Sequence, residues 1–242
     1  MKANYISLSR FQNIIRSASA ALGIVCASSF IAASAIAGNA GGPGIAPPKS
    51  RPYGQSMAEW LSDFTRWKYG PSQADNMFGK VLFLAPLVPD QAGGTGTLDD
   101  PLILTGQGDI TIKAGTAFLD VLIAWWGEVY PDGLIDPTLP GDWWGTYVTG
   151  EVILDGKVVL DNVAEHYVSP QTFNPPILYS GPSPATGAIG TSYVQGVPIM
   201  LRPLSVGVHT YVSTASVLVP GDETTPDTGI IFRNSRTITV VP

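Results

Sequence analysis

The spacing of apolar residues changes near Phe78. Ahead of it, Trp60, Leu61, Phe64 and Trp67 recur at i, i+1, i+4 and i+7, which places them on one face of a helix. Ser56 and Glu59 form an S-x-x-E capping box before that stripe, and Gly70-Pro71 supplies a terminator and a stop behind it. The spacing predicts a helix over 57–68 whose three large aromatics plug a sheet.

After Phe78 the chain reads as strands cut by Gly, Pro and Asp. Lys80–Ala85 is a short apolar run, and Asp109-Ile110-Thr111-Ile112-Lys113 alternates with the period of a half-buried strand. Leu102–Thr105 precedes it across Gly106-Gln107-Gly108, a hairpin-like interval. Ala117–Trp126 is apolar enough to be buried on both faces. Thr146–Leu154 and Lys157–Leu160 flank Asp155-Gly156, a strong two-residue hairpin signal. Val197–Leu201, Val208–Val219 and Gly229–Val241 follow, while 127–145 and 170–196 read as long loops. Eight to ten strands behind one helix imply a mostly β fold, an antiparallel β-sandwich or jelly-roll-like domain with one N-terminal amphipathic helix, over 53–242.

The first 52 residues bear on location. Lys2, Arg10 and Arg16 are the only charges before Lys49, and the uncharged run Ser19–Ala37 ends in Ala35-Ile36-Ala37. That is the form of a secretory signal peptide over 1–37, cleaved near Ala37. An uncleaved anchor is the alternative, but Ala and Ser dominate the run, and such a segment suits cleavage better than spanning. Residues 38–52, rich in Gly and Pro, read as a flexible leader. Cleavage leaves 205 residues with 10 Lys+Arg against 19 Asp+Glu and removes Cys26, the single cysteine. The exported form, periplasmic or extracellular, then folds without disulfides or an integral membrane segment. Its acidity argues against a nucleic-acid partner.

Catalytic chemistry is thinly represented. His166 and His209 are the only imidazoles, in no metal-binding spacing, and no G-x-S-x-G, G-x-G-x-x-G or P-loop occurs. Glu59 and Asp63 lie one turn apart, but a cap and an Asp63–Arg66 pair account for them. No residue is assigned a catalytic role. Asp132, Asp136 and Asp142 share a Gly/Pro loop, where oxygen ligands would suit Ca2+, although turn chemistry also explains them. Around that loop stand Trp125, Trp126, Tyr130, Trp143 and Trp144. Four of the six tryptophans fall within 20 residues. Exposed indoles beside carboxylates can stack on a sugar ring while the acids take its hydroxyls; packing of the same indoles under the loop is the competing reading.

Tyr53-Gly54, Glu59-Trp60, Phe64 and Trp67 resemble the opening of a group of exported bacterial proteins of unassigned activity, which carry Y-G-x-x-x-x-E-W. Gly79-Lys80-Val81-Leu82-Phe83-Leu84 and Lys113-Ala114-Gly115-Thr116 are similar to their next motifs. Asp155-Gly156 resembles their hairpin, and Leu201 to Thr210 their closing P-L-x-x-G-x-H-T element. Phe64-Thr65 stands where that opening has two Trp, Val206 replaces a Pro, and the cysteines of the group are missing. The resemblance implies an exported β-rich domain and no particular activity.

Taken together, these features point to a non-catalytic exported protein that binds a glycan or cell-envelope component, or serves as an extracellular or envelope structural part. The alternatives are a glycan-active enzyme using paired carboxylates and a subunit of an extracellular assembly. Oligomeric state is left open.

Overall fold

The computed structural model describes residues 44–70, 76–87, 89, 91–221 and 226–242. The expected signal peptide and the leader up to residue 43 lie outside them. Helix α1, Met57–Tyr69, forms where the apolar stripe predicts it. The capping box is present in full: Ser56 Oγ accepts from the Glu59 N–H, and the Glu59 carboxylate accepts from the Ser56 N–H. A second helix, α2, spans Gly141–Tyr147.

Eleven strands follow α1 in the described chain. They are β1 (Met77–Phe78), β2 (Val81–Phe83), β3 (Gln91–Gly93), β4 (Leu102–Lys113), β5 (Ala117–Val129) and β6 (Val148–Leu154). Then come β7 (Lys157–Leu160), β8 (Val168–Leu178), β9 (Gly190–Leu201), β10 (Gly207–Val219) and β11 (Thr228–Val241). One sheet has the order β1-β2-β5-β9-β8, the other β3-β4-β11-β10-β6-β7. Pairing is antiparallel except at β2·β5 and β4·β11, which are parallel. The fold is the expected β-sandwich, with the helix as a third layer.

The main core lies between the sheets. Phe118, Val197, Ile199 and Leu201 of the first sheet meet Ile112, Val152, Tyr211 and Ile238 of the second. The other face of the first sheet carries α1. Phe83 is the hub there, with Trp60, Phe64 and Trp67 at ring distances of 6.0, 5.8 and 5.8 Å. Covered on both faces, β9 is buried almost throughout. The hydrophobic effect therefore acts on both faces of one strand.

Several sequence expectations are corrected. Gly106-Gln107-Gly108 is no turn but the middle of β4. A Cβ on Gly106 would stand 2.6 Å from Leu87 Cβ, and one on Gly108 2.9 Å from Leu87 Cδ2, so these glycines make room for a crossing segment. The intervals 127–145 and 170–196 are largely ordered into the end of β5, α2, β8 and the first half of β9. Residues 44–46 of the expected flexible leader are tied to β9: Ala46 N–H donates to the Met200 carbonyl at 2.8 Å, and Ile45 bridges Leu201. No helix among the described residues is long and apolar enough to cross a membrane.

Candidate functional site

At one end of the sandwich, β5, β4, β11 and α2 surround a cleft of about 340 Å3. Its position follows from β5, which carries two register irregularities against β9, between Val121 and Ile123 and between Trp126 and Glu128. Irregular pairing of this kind re-aims side chains. Trp125, Trp126, Trp143 and Trp144 all line the cleft. Trp143 and Trp144 sit on α2 rather than on a strand, because Pro140 and Gly141 begin a short helix there. Trp144 is buried and stacked on Tyr167 at 5.0 Å, while Trp125, Trp126 and Trp143 are half-buried.

The loop beside the cleft is fastened by residues that sequence reasoning did not single out. The Tyr193 hydroxyl donates to the Asp136 carbonyl at 3.0 Å and accepts from Trp125 Nε1 at 3.2 Å. Trp125 Nε1 also lies 3.2 Å from the Pro137 carbonyl. Gln195, fully buried, pairs its amide with both backbone groups of Leu139: its oxygen accepts at 2.7 Å and its nitrogen donates at 3.3 Å. Gly127 is what lets the Tyr193 ring cross β5, since a Cβ at that position would fall within the ring. A glycine inside an apolar strand is the one sequence signal that marks such an approach.

Two carboxylates converge on the cleft, Glu128 and Asp136. The Tyr130 hydroxyl stands 3.3 Å from an oxygen of each and can donate to either. Burial, with the nearby Asp136 charge, holds the Glu128 carboxyl above its usual range. Of the three aspartates considered for Ca2+, only Asp136 belongs to this group. Asp132 Oδ1 accepts from the Leu134 N–H at 3.1 Å, and Asp142 Oδ1 from the Trp143 N–H at 3.1 Å. Both aspartates are engaged in local turns. Among the described residues no three His, Cys, Asp or Glu side chains group so as to hold a metal ion. The calcium expectation therefore finds no assembled site in this loop.

A third aromatic cluster flanks the cleft from α1. Tyr69 lies edge-on to Trp126 at 5.7 Å and stacks on Tyr179 at 4.4 Å. Lys68 Nζ stands 4.0 Å from the centre of the Trp126 ring. Burial draws the Lys68 amine down to about 8.

The remaining polar candidates are structural. Glu59 caps α1 and meets Arg51 at 3.1 Å, and Asp63 pairs with Arg66 at 3.6 Å. His209 Nδ1 is 2.7 Å from Asp155 Oδ2, and its Nε2 is 2.9 Å from the Ser205 carbonyl and 3.4 Å from Ser205 Oγ. A carbonyl takes only a donor, so Nε2–H faces it and is no base for the serine hydroxyl. The Ser-His-Asp grouping is a clamp holding the β6–β7 turn to β10. His166 is buried, and burial lowers its imidazole below the ordinary value.

No protein-family model matches the chain, and no curated protein does either. Among solved structures, a cysteine protease inhibitor from Entamoeba histolytica is 14% identical over 57% of this chain and 94% of its own, with a TM-score of 0.21. The adhesive subunit CfaE of the CFA/I fimbria of enterotoxigenic Escherichia coli is 12% identical over 39% of this chain, with a TM-score of 0.19. A mutant of that adhesin is 15% identical over the same share, with a TM-score of 0.20. The aligned part is 28% of the adhesin's length. At these TM-scores none of the three bears on what the cleft does.

Proposed function

We propose that the protein is an exported, non-catalytic binding protein and that the cleft between its sheets is the ligand site. The observation that carries this reading is the convergence of four indoles with Glu128 and Asp136 on one cavity. A pocket with a largely apolar and aromatic lining and a few convergent polar groups is the usual form of a small-molecule site. Its occupant is a small ligand that lays an apolar face on indole and turns hydrogen-bond donors to the two acids. A sugar ring from a glycan or cell-envelope component has such a face. The test is a glycan array with the mature chain, followed by tryptophan fluorescence titration of the hits. Binding in the cleft shifts the emission, and Glu128→Gln weakens it. Hits that leave both emission and the Glu128→Gln comparison unchanged would place binding elsewhere.

A hydrolytic reading uses the same acids, since paired carboxylates serve glycoside hydrolysis. The Tyr130 hydroxyl bridges Glu128 and Asp136, where a scissile bond or attacking water would need room. Binding is therefore the better reading. Export is checked by N-terminal sequencing of the protein recovered outside the cytoplasm, with a start after Ala37 as the expected result.

A further inference from the structure

We propose that the cleft's ligand is an organic ammonium ion with an apolar body, its cationic head at Glu128 and Asp136 and its body against the indoles and the apolar wall. The inference rests on the cleft being the ligand site and narrows what enters it.

Charge complementarity is the first argument. Glu128 and Asp136 are the charged groups lining the cavity, and no Lys, Arg or His lines it. The two carboxylates together offer several acceptor lone pairs, of which the single Tyr130 proton satisfies one at a time. A primary ammonium brings three donors and no acceptor, and so matches that surplus. The nearest cation is Lys68, one charge against two, which leaves the neighbourhood negative at pH 7.

The second argument is the wall. Leu102, Leu104, Ile230 and Phe232 of the second sheet face the indoles across the cavity. A sugar ring in this space would set hydroxyls against side chains that neither donate nor accept, at a desolvation cost. An ammonium ion on an aryl or alkyl body puts its polarity at one end only.

The third argument lies within the chain. Lys68 Nζ is 4.0 Å from the centre of the Trp126 ring and 5.3 Å from that of Tyr69. Both rings also line the cleft. This aromatic group thus already accommodates an ammonium, supplied by α1, and a ring quadrupole attracts a second one in the same way.

Isothermal titration calorimetry at pH 7 and low salt tests this with three probes: 2-phenylethylammonium chloride, its neutral isostere 2-phenylethanol, and methyl β-glucoside. The expected result is that the ammonium binds at least about tenfold tighter than the alcohol, a preference that charge-assisted contacts supply. The preference is expected to disappear in Glu128→Gln/Asp136→Asn, with circular dichroism confirming the fold. Should that variant not fold, Tyr130→Phe serves instead; it frees both carboxylates and is expected to tighten the ammonium alone. Equal affinity for ammonium and alcohol, or binding of the glucoside without the ammonium, overturns the cation and leaves the cleft as a site. An ammonium preference that survives the double variant places the cation elsewhere and also overturns the inference. Silence from all three probes overturns the inference and the ligand-site reading together.

Discussion

Gly127 has no substitute in this strand: any side chain there would run into the Tyr193 ring. Tyr193 in turn holds Trp125 and the Asp136 backbone, so the residue that shapes the cleft is one with no side chain. Gly127→Ala is expected to lower stability by about 1–3 kcal/mol, the usual cost of overpacking, and to loosen the loop, which chemical denaturation and Trp fluorescence would register together. Unchanged stability would mean that Tyr193 has another place to go. Trp60 has the opposite role. It is buried against Phe83, and Trp60→Ala is expected to cost about 3–5 kcal/mol, as large aromatic truncations in cores do. An unchanged melting temperature would contradict the packing of α1. Lys68 gives a pH signature. Its amine titrates near 8 in the fold and near 10.5 in the unfolded chain. Between those values the unfolded chain binds more protons, so this group makes stability rise with pH there and exacts its full cost below pH 8. Buried tyrosines act the other way above pH 10: burial raises Tyr69 and Tyr193, and the unfolded chain loses those protons first. The comparison that isolates Lys68 is Lys68→Met between pH 8 and 10. Its stability is expected to rise less with pH than that of the wild type, and parallel curves would refute the assignment.

At the scale of elements, local signals decided what was legible. The helix was readable because capping box, stripe and stop agree. Ser56→Ala removes the acceptor of the Glu59 N–H and is expected to cost about 1 kcal/mol, measurable as a lower urea midpoint at constant slope. The β6–β7 hairpin was readable from Asp155-Gly156, whose positive φ values of 50° and 74° are those of a two-residue turn. The trio Gly106-Gln107-Gly108 misled because a glycine that admits a neighbouring chain looks, in one dimension, like a glycine that turns. β8 escaped because its sequence, with Asn174-Pro175-Pro176, has no alternation and its register against β9 shifts twice. The indole cluster was legible from spacing alone, and all four indoles reach one cavity. Its supports, Tyr193 and Gln195, come from a strand about 60 residues further on, and no local pattern announces such a partnership. The aspartates were grouped by sequence proximity, but the loop turns Asp132 and Asp142 to its own backbone.

On the scale of the whole molecule, one sheet is covered on both faces and the other on one. This gives the cleft a rigid back wall, since β5 and β9 cannot shift without disturbing α1 as well as the inter-sheet core. The free edges are unpromising for assembly through strand pairing: β1, β3 and β7 are short, and β8 is interrupted by prolines. Such edges resist pairing with another chain. The measurement that tests the central claim most directly is 19F NMR of protein labelled with 5-fluorotryptophan, titrated with 2-phenylethylammonium chloride and with methyl β-glucoside. The account predicts that one of the probes shifts the resonances of Trp125, Trp126 and Trp143, the half-buried indoles of the cleft, and leaves Trp60 and Trp67 of α1 in place. Resonances that all stay fixed, or shifts confined to Trp60 and Trp67, would contradict it.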